Sequence, residues 1–341
     1  MKKLKVGVIG ATGYTGEELV KILASHPQAE LTYTSGKEDR EIKIQEIFPY
    51  LKGKLDLECR AFSFDEAVEK TDLVFLSLPH TVSMTLAPLF LKAKKKVIDV
   101  SADYRLKDEK VYEKFYKVGH KDPANLKNAV YGLPEVNREK IKGATLIANP
   151  GCYPTGAILG LLPGVKKDLF NLDTIQIDAK SGVTGAGRKA EKTLNFSEVN
   201  ENFRAYKLFE HQHVPEIDQE LSKAAKKPVQ VVFVPHLLPL NRGILSTIYV
   251  KLKKKMSTLE LLGVYQKFYA DEFFVHVYDG GLLPELKNVA HTNFCDIGLR
   301  VNEAKGLAVI VTASDNLSKG AASQAVQNMN LMAGFSEKEG L

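Results

Sequence analysis

Short apolar runs alternate with segments of helical period over the first 100 residues of the chain. The runs have the length and composition of buried strands and cover residues 5–9, 30–34, 73–78 and 96–100. Apolar residues recur at the spacing of one helix face over 17–24 and over 81–92. This alternation predicts a parallel, doubly wound α/β sheet.

Longer strands predominate after about residue 145. They are predicted over residues 174–180, 229–235, 243–252, 294–301 and 307–312. Strands that cluster with few helices between them favour a mixed or antiparallel sheet in a second domain. An alanine-rich helix is predicted over 317–332, and we expect it to pack on the first domain. The predicted domains are residues 1–148 with 316–341, and residues 149–315.

The composition is that of a globular chain, and it restricts the partners. The 341 residues are 44% apolar and 26% charged, with a mean hydropathy of −0.15, which is enough apolar surface for large cores. The net charge of +6 arises from interspersed acids and bases. We therefore expect small anionic ligands rather than nucleic acid.

The targeting segments that the sequence could contain and the spacing of its cysteines bear on the cellular location. No apolar run is long enough to span a membrane, and the first residues lack the pattern of a secretory signal. Three cysteines at wide spacings form neither a disulfide framework nor a zinc pattern. These features predict a cytoplasmic protein that has no membrane partner.

Three glycines at the spacing G-x-x-G-x-x-G follow the first predicted strand and precede a predicted helix. A helix N-terminus behind such a turn offers backbone N–H groups and a positive dipole to a pyrophosphate. We predict that this turn binds a dinucleotide; a tight turn without a ligand is the alternative. The residues predicted to contact the dinucleotide are Gly10, Thr12, Gly13, Tyr14, Thr15 and Gly16, with Pro79 at the end of a neighbouring strand.

The end of the second predicted strand indicates which dinucleotide is bound. An NAD site places an acidic residue about 20 residues beyond the glycines, where it holds the ribose hydroxyls. This chain has Ser35 and Lys37 there, with Arg40 close by. A hydroxyl and cations favour the 2′-phosphate of NADP. Because Glu38 and Asp39 are near, NAD is the alternative, and a solvated Lys37 is the other interpretation of that lysine.

Cys152 is the candidate nucleophile. It lies between Gly151 and Tyr153, flanked by prolines, and an apolar segment follows, a pattern typical of the first turn of a buried helix. Backbone N–H groups and the helix dipole favour thiolate over thiol there, and acyl transfer requires the thiolate. The alternative is a small buried hydrophobic residue. Cys59 and Cys295, in strand-like segments, fit that alternative.

Seven sequence segments, in order along nearly the whole chain, carry a family resemblance. They are residues 10–16, 101–106, 131–135, 149–155, 181–188, 211–216 and 233–236. Together they closely resemble the N-acetyl-gamma-glutamyl-phosphate reductase family. The resemblance implies a Rossmann-type dinucleotide-binding domain and an α+β catalytic domain of the glyceraldehyde-phosphate/aspartate-semialdehyde dehydrogenase type.

The resemblance also implies an activity. It is the NADPH-dependent reduction of N-acetyl-L-glutamyl 5-phosphate to the 5-semialdehyde through a thioester on Cys152, in arginine biosynthesis, by a homo-oligomer. Aspartyl phosphate and carrier-bound aminoadipyl phosphate, the substrates of similar reductases, are alternatives. A nucleotide-binding sensor without turnover is the alternative from another class, since the glycine turn alone would serve it.

A histidine is expected to exchange protons with the thiol and the substrate. Of eight histidines, His211 and His213 alternate, so an extended chain would place both on one face, with Glu216 near enough to orient one of them. The resemblance matches His211 to the acid/base, with His213 and Glu216 supporting it. A metal held by the H-x-H pair is the alternative, but no third ligand lies at a suitable spacing, so no metal is predicted.

The anionic groups of the substrate call for arginine, whose planar guanidinium binds carboxylate and phosphate bidentately. The candidates are Arg105, Arg188, Arg204 and Arg242, and a solvated surface arginine is the alternative for each. Arg105 and Arg188 lie in motif segments and are ranked first. Asn149 is a further predicted substrate contact.

Three more residues are predicted to contact the cofactor. Ser181 and Gly182 stand in a glycine-rich loop whose N–H groups can contact a ligand. Asn316 is similar to the family's nicotinamide-amide contact, and an ordinary helix N-cap is the alternative. Two positions depart from the family pattern: Thr184 replaces a commoner serine, and Gly36-Lys37 replaces a Ser-Arg pair, which weakens the predicted 2′-phosphate contact.

Overall fold

The computed structural model describes residues 3–37 and 41–341, and its contacts divide the chain into two compact units. The first unit comprises Met1–Pro150 with Ala321–Leu341, and the second comprises Gly151–Gly320. The limits therefore fall after 150 and 320, where the sequence predicted 148 and 315.

The later second limit has a local cause. The carboxylate of Asp315 accepts hydrogen bonds from the backbone N–H groups of Leu317 and Ser318, and its carbonyl accepts one from Gly320. The residues after 315 thus form a turn that is bound to the second unit, before the last helix begins.

An eight-stranded sheet forms the centre of the first unit. Its strands are β1 (Leu4–Ile9), β2 (Ala29–Ser35), β3 (Ile42–Lys43), β4 (Glu58–Arg60), β5 (Leu73–Leu76), β6 (Lys96–Asp99), β7 (Val130–Tyr131) and β8 (Leu146–Ala148). They lie in the order β3-β4-β2-β1-β5-β6-β8-β7. The predicted all-parallel sheet is wrong at one edge, where β3 pairs with β4 in antiparallel fashion. A two-residue strand is too short to leave a period in the sequence.

Among the described residues of the first unit, seven α-helices connect these strands, and α1 follows the predicted pattern. They are α1 (Tyr14–Leu23), α2 (Ile44–Ile47), α3 (Phe64–Lys70), α4 (Ser83–Lys92), α5 (Glu109–Tyr116), α6 (Pro123–Asn128) and α7 (Pro134–Lys142). Leu19, Val20 and Leu23 are buried in the core with Val6 and Val8 of β1. Burial of this apolar stripe fixes the start of α1 at the glycine turn.

The second unit contains a seven-stranded mixed sheet, as the clustered strands predicted. Its strands are β9 (Gln176–Gly182), β10 (Arg204–Ala205), β11 (Val232–Leu238), β12 (Ile244–Lys251), β13 (Val275–Val277), β14 (Cys295–Asn302) and β15 (Leu307–Ser314). The order is β10-β11-β9-β12-β15-β14-β13. The pairs β11–β9 and β13–β14 are parallel, and β12 is antiparallel to both of its neighbours.

Five helices belong to the second unit, and the first of them carries the candidate nucleophile. They are α8 (Cys152–Lys166), α9 (Phe196–Val199), α10 (Val214–Ala225), α11 (Thr258–Phe268) and α12 (Leu286–Val289). Close contact fixes α8 against β15, because a Cβ at Gly160 would lie 2.7 Å from Cγ2 of Thr312. The hydroxyls of Tyr265 and Tyr269 also donate to carbonyls of α8, each at 2.6 Å.

The last helix, α13 (Ala322–Ala333), lies in the first unit, on the domain where the sequence placed it. Two of its buried polar side chains are hydrogen-bonded to backbone carbonyls: Asn328 donates to that of Gly132, and Asn330 to those of Glu337 and Glu339. Within the described part of the chain, no helix has the length and apolarity needed to cross a bilayer.

Candidate active site

Cys152 is the first residue of α8, where the sequence predicted it. The N-cap is Gly151, which has no side chain to occupy the amides of the first turn, and that turn contains no acidic residue. The thiol is partly exposed, whereas Cys59 and Cys295 are buried and fit the structural interpretation. The amides and the dipole at this helix end therefore favour a thiolate.

The turn after Asp315 forms one side of the thiol site. A Cβ at position 320 would lie 2.8 Å from Cβ of Cys152 and 2.7 Å from the carbonyl oxygen of Asn316. The chain can approach Cys152 this closely only because residue 320 is glycine. Arg242 holds the turn, donating from Nε to Oδ2 of Asp315 at 2.9 Å.

Helix α10 brings two of the predicted residues to Gly151. The backbone N–H of Gly151 donates to Oε1 of Glu216 at 2.8 Å. A Cβ at Gly151 would lie 2.6 Å from Nε2 of His213 and 2.9 Å from Oε2 of Glu216. His213 and Glu216 therefore lie directly against the residue that precedes Cys152, one at the N-cap of α10 and the other in its first turn.

His211 belongs to the same cluster but is more deeply placed, with only 7% of its surface exposed. Its Nδ1 accepts the backbone N–H of His213 at 3.1 Å, and its Nε2 lies 3.5 Å from the hydroxyl of Tyr206. Burial, together with the charge of Lys207, lowers the pKa of His211 to about 4. His211 is neutral over the whole range in which a histidine ordinarily titrates.

Two tyrosines in this cluster were missed by the sequence analysis. The hydroxyls of Tyr153 and Tyr206 are 3.1 Å apart, and Tyr153 donates to the carbonyl of His236 at 3.1 Å. Burial raises the pKa of Tyr206 to about 12, and the charge of Cys152 acts in the same direction. Tyr153 stands in the cysteine motif and was therefore within reach of sequence reasoning, but no motif includes Tyr206.

A second group of predicted residues surrounds Asn316. Its Oδ1 accepts the backbone N–H of Gly243 at 2.8 Å, and its Nδ2 donates to Oγ1 of Thr184 at 2.9 Å. Asn316 is not a helix N-cap, because α13 is capped at Ala321. A Cβ at Gly185 would lie 3.3 Å from Oγ of Ser181 and 3.8 Å from Nδ2 of Asn316. The fold thus gathers Ser181, with Gly182 next to it on β9, and Asn316 around one loop.

The predicted substrate residues fall in different places. Arg188 lies exposed in a loop of the second unit. Arg105 and Asn149 are buried in the first unit, where Nε of Arg105 donates to the carbonyl of Asn149 at 2.7 Å. The side chain of Asn149 donates to the carbonyl of Ala321 at 3.0 Å. Both residues thus fix the segment that precedes Gly151.

The glycine turn of the first unit has the form that a dinucleotide requires. Gly10 has φ +91°, and a Cβ on it would lie 2.1 Å from the carbonyl oxygen of Ser77; one on Gly16 would lie 2.1 Å from the carbonyl oxygen of Gly10. A Cβ on Gly13 would have ordinary contacts, since its nearest atom, the carbonyl oxygen of Gly10, would be 3.6 Å away. Gly13 is the N-cap of α1 and makes no side-chain cap, an arrangement that suits a phosphate at this helix end. These residues fit a dinucleotide, and Thr12, Tyr14 and Thr15 complete the turn.

The end of β2 places Ser35 and Lys37 as predicted, with Ser35 buried and Lys37 exposed. Glu38, Asp39 and Arg40 lie outside the described residues. Gly36 is required here, because a Cβ on it would lie 2.7 Å from Cγ2 of Thr12.

Arg60, a cation that the sequence analysis did not consider, pairs in register with Ser35. Its guanidinium forms ion pairs with Glu41 at 3.0 Å and Glu66 at 3.2 Å, and with Glu58.

The alternative of a metal at the H-x-H pair gains no support. Over residues 3–37 and 41–341, no group of three or more histidine, cysteine, aspartate or glutamate side chains is arranged to hold an ion.

Fold and site together define a semialdehyde dehydrogenase, an oxidoreductase with a nicotinamide dinucleotide domain and a cysteine at a helix N-terminus. Residues 5–144 match the family described as "Semialdehyde dehydrogenase, NAD binding domain", and residues 152–316 match "Semialdehyde dehydrogenase, dimerisation domain". The chain is 50% identical over 338 residues to the N-acetyl-gamma-glutamyl-phosphate reductase of Pelotomaculum thermopropionicum, covering 99% of this chain and 97% of that protein. It is 48% identical over 339 residues to that of Geobacter metallireducens, covering 99% and 98%. The chain belongs to the N-acetyl-gamma-glutamyl-phosphate reductase family, as the seven segments predicted.

Solved structures show the same fold at lower identity. Aspartate semialdehyde dehydrogenase II of Vibrio cholerae, complexed with ASA, has a TM-score of 0.73 and 18% identity, covering 98% of this chain and 99% of that one. The aspartate semialdehyde dehydrogenase of Candida albicans, solved with NADP, has a TM-score of 0.72 and 15% identity, covering 97% and 99%.

Proposed function

We propose that this chain reduces N-acetyl-L-glutamyl 5-phosphate to N-acetyl-L-glutamate 5-semialdehyde, with release of phosphate, as a step of arginine biosynthesis. The observation that carries the proposal is the placement of Cys152 at an uncapped helix N-terminus, with His213 and Glu216 against Gly151. The names of relatives that are 48% and 50% identical over nearly the full length support the substrate.

Cys152 is the proposed nucleophile. Its thiolate attacks the acyl carbon, the S–C bond forms, the C–O bond to phosphate breaks, and inorganic phosphate leaves. The first amides of α8 stabilise the thiolate before attack. Bound NADPH supplies the hydride that converts the thioester to a thiohemiacetal, which then releases the aldehyde and regenerates the thiol.

Proton transfer is proposed for the cluster at Gly151. The thiol must lose a proton before attack, and the oxygen of the thiohemiacetal must gain one and lose it again on collapse. His211 and His213 are the proposed histidines, and Glu216 fixes the loop through its bond to the N–H of Gly151. Arg188, Arg105 and Asn149 remain the predicted contacts to the anionic groups of the substrate.

NADP is the proposed cofactor. The glycine turn and the N-terminus of α1, which has no side-chain cap, support a pyrophosphate site, and Ser35 and Lys37 occupy the sequence positions that favour a 2′-phosphate. Pro79, Ser181, Gly182 and Asn316 are the further proposed contacts. The Candida albicans structure, which has the same fold, was solved with NADP.

We also propose a homo-oligomer and a cytoplasmic location. The name of the family that matches residues 152–316 includes dimerisation, and none of the three cysteines forms a disulfide. Light scattering of the purified chain at micromolar concentration tests the oligomer; the mass of one chain, 37.8 kDa, would contradict it.

The substrate is tested in the reverse direction with phosphate and NADP. We expect reduction of NADP with N-acetylglutamate 5-semialdehyde to be faster than with aspartate semialdehyde, and to stop when phosphate is omitted. Aspartate semialdehyde is the second candidate because the Vibrio cholerae neighbour was solved with ASA. Equal or faster turnover of aspartate semialdehyde would overturn the proposed substrate.

A further inference from the structure

Three side chains beside Cys152, those of His211, Tyr206 and Tyr153, form a hydrogen-bond chain whose direction can be read from its two ends. At one end the backbone N–H of His213 donates to Nδ1 of His211, so that nitrogen carries no proton. At the other end the hydroxyl of Tyr153 donates to the carbonyl of His236. Backbone N–H groups only donate and carbonyls only accept, so neither end can reverse.

The middle of the chain follows from these ends. Since Nδ1 of neutral His211 is an acceptor, the proton lies on Nε2, 3.5 Å from the hydroxyl oxygen of Tyr206. Since the hydroxyl of Tyr153 donates to the backbone carbonyl of His236, its oxygen accepts from the hydroxyl of Tyr206 at 3.1 Å. The direction is therefore from His211 to Tyr206, to Tyr153 and to the backbone, with each hydroxyl donating once.

The surroundings of His211 oppose its protonation. Its ring lies 5.5 Å from the ring of Tyr153, 5.4 Å from that of Phe233 and 4.8 Å from that of His213. Burial disfavours the charged form of the ring, and the positive charge of Lys207 acts in the same direction. The carboxylate of Glu216 is instead bonded to Gly151.

We propose that Tyr206 is a positioning residue of this site: its hydroxyl accepts the Nε2 proton of His211 and holds that ring as a neutral N–H donor, which leaves proton transfer to His213. The inference rests on the proposed function and reverses the order of the two histidines that the family resemblance implied. His213 suits the role, because its Nε2 lies against Gly151, next to Cys152.

His211 as a neutral N–H donor and His211 as the acid/base predict different results for the substitution His211→Gln. In His211→Gln the side-chain amide nitrogen can reach the position of Nε2 and still donate, but it cannot titrate. If His211 is a donor, kcat/KM falls by about tenfold or less, and the acid limb of its pH profile is retained. If His211 is the acid/base, the loss is about 10²–10⁴-fold and the limb disappears. His213→Gln is the reciprocal variant, and we expect it to lose the limb.

Tyr206→Phe tests the positioning role itself. Nitrogen-15 NMR of histidine reports the tautomer directly and without substrate. We expect His211 to be the Nε2–H tautomer in both proteins, because the backbone N–H of His213 still donates to Nδ1. In Tyr206→Phe, where Nε2–H has lost its acceptor, we expect that proton to exchange faster with water. Tyr265→Phe is the matched control, because it removes another buried tyrosine hydroxyl, one that donates to the carbonyl of Gly160 in α8, the helix that also carries Tyr153. We expect the control to keep the His211 tautomer and to retain kcat/KM within about twofold.

Three results overturn the proposal: an Nδ1–H or charged His211 at pH 7, an unchanged exchange rate of Nε2–H in Tyr206→Phe, or loss of the acid limb in His211→Gln with the limb retained in His213→Gln. Failure of the proposed function can be distinguished from failure of this inference. A chain that reduces no acyl phosphate would still show the tautomer of His211 by NMR, because that measurement needs no substrate.

Discussion

Arg242 and Asp315 form a bidentate ion pair, with Nε 2.9 Å from Oδ2 and Nη2 3.2 Å from Oδ1, and both side chains are almost fully buried. The same carboxylate accepts the backbone N–H of His291 at 2.6 Å. Arg242 also donates to the hydroxyl of Ser318 at 3.0 Å. The pair thus fixes the turn that passes Cys152 at Gly320.

Arg242→Ala should destabilise the protein severely. Removal of the guanidinium leaves the buried carboxylate of Asp315 without its cation, which costs about 3–5 kcal/mol for pairs of this kind. Urea unfolding of the variant, compared with Arg204→Ala as a partly exposed arginine of the same unit, measures the effect. A loss below about 1 kcal/mol would show that the pair does not hold the turn.

Gly320→Ala should impair the nucleophile. The new Cβ would lie 2.8 Å from Cβ of Cys152, so one of the two backbones must shift. A displacement of the reacting group by about 1 Å costs on the order of 100-fold in rate. The control is Gly263→Ala in α11, where no atom lies within 4 Å of a new Cβ and where alanine should stabilise the helix. Equal kcat values for the two variants would contradict the contact.

Gly10→Ala should remove cofactor binding. Its φ of +91° is unfavourable for alanine, and the Cβ would lie 2.1 Å from the carbonyl of Ser77. We expect the Kd for NADPH, measured by fluorescence titration, to rise by at least about tenfold. Gly143→Ala, at an open helix end of the same unit, should bind as the unchanged protein does. Unaltered affinity in Gly10→Ala would place the dinucleotide elsewhere.

Stability should fall as pH rises toward neutrality because of Asp99. Burial, with the nearby charge of Asp103, raises the pKa of Asp99 to about 7, well above that of an ordinary aspartate. The folded state therefore holds this proton more tightly than the unfolded state, and the contribution is full below about pH 4 and lost as pH rises through about 7. Asp99→Asn mimics the protonated form, so its urea midpoint should decline less between pH 5 and 7.5. Parallel curves for the two proteins would contradict this origin.

Local patterns were sufficient for much of the fold. The four strands predicted in the first 100 residues are present as β1, β2, β5 and β6, because each is a short segment rich in apolar and β-branched residues. Strands β3 and β7 were missed, since each has two residues and depends on its neighbours for pairing. The helix start at Cys152 was predicted because glycine and proline have position-specific preferences there.

The proton-transfer cluster was predictable only in part. His211, His213 and Glu216 lie within six residues and could be recognised together. Their different environments could not, because the ring of His211 is buried by Tyr153 and Phe233, which are distant in sequence. Arg242 was one of several arginines in the sequence, and only the fold brings it to Asp315, 73 residues away.

The reactivity of Cys152 toward iodoacetamide as a function of pH tests the central claim most directly. Cys59 and Cys295 are fully buried, so alkylation of the folded protein reports on Cys152, and Cys152→Ser should remove the signal while retaining NADPH binding. An ordinary cysteine has a pKa of about 8.5. We predict that alkylation of Cys152 is half-maximal at a pH well below that value, and that reductase activity is lost in parallel. Alkylation with the midpoint of an ordinary cysteine, or alkylation that leaves activity intact, would contradict the proposed covalent mechanism.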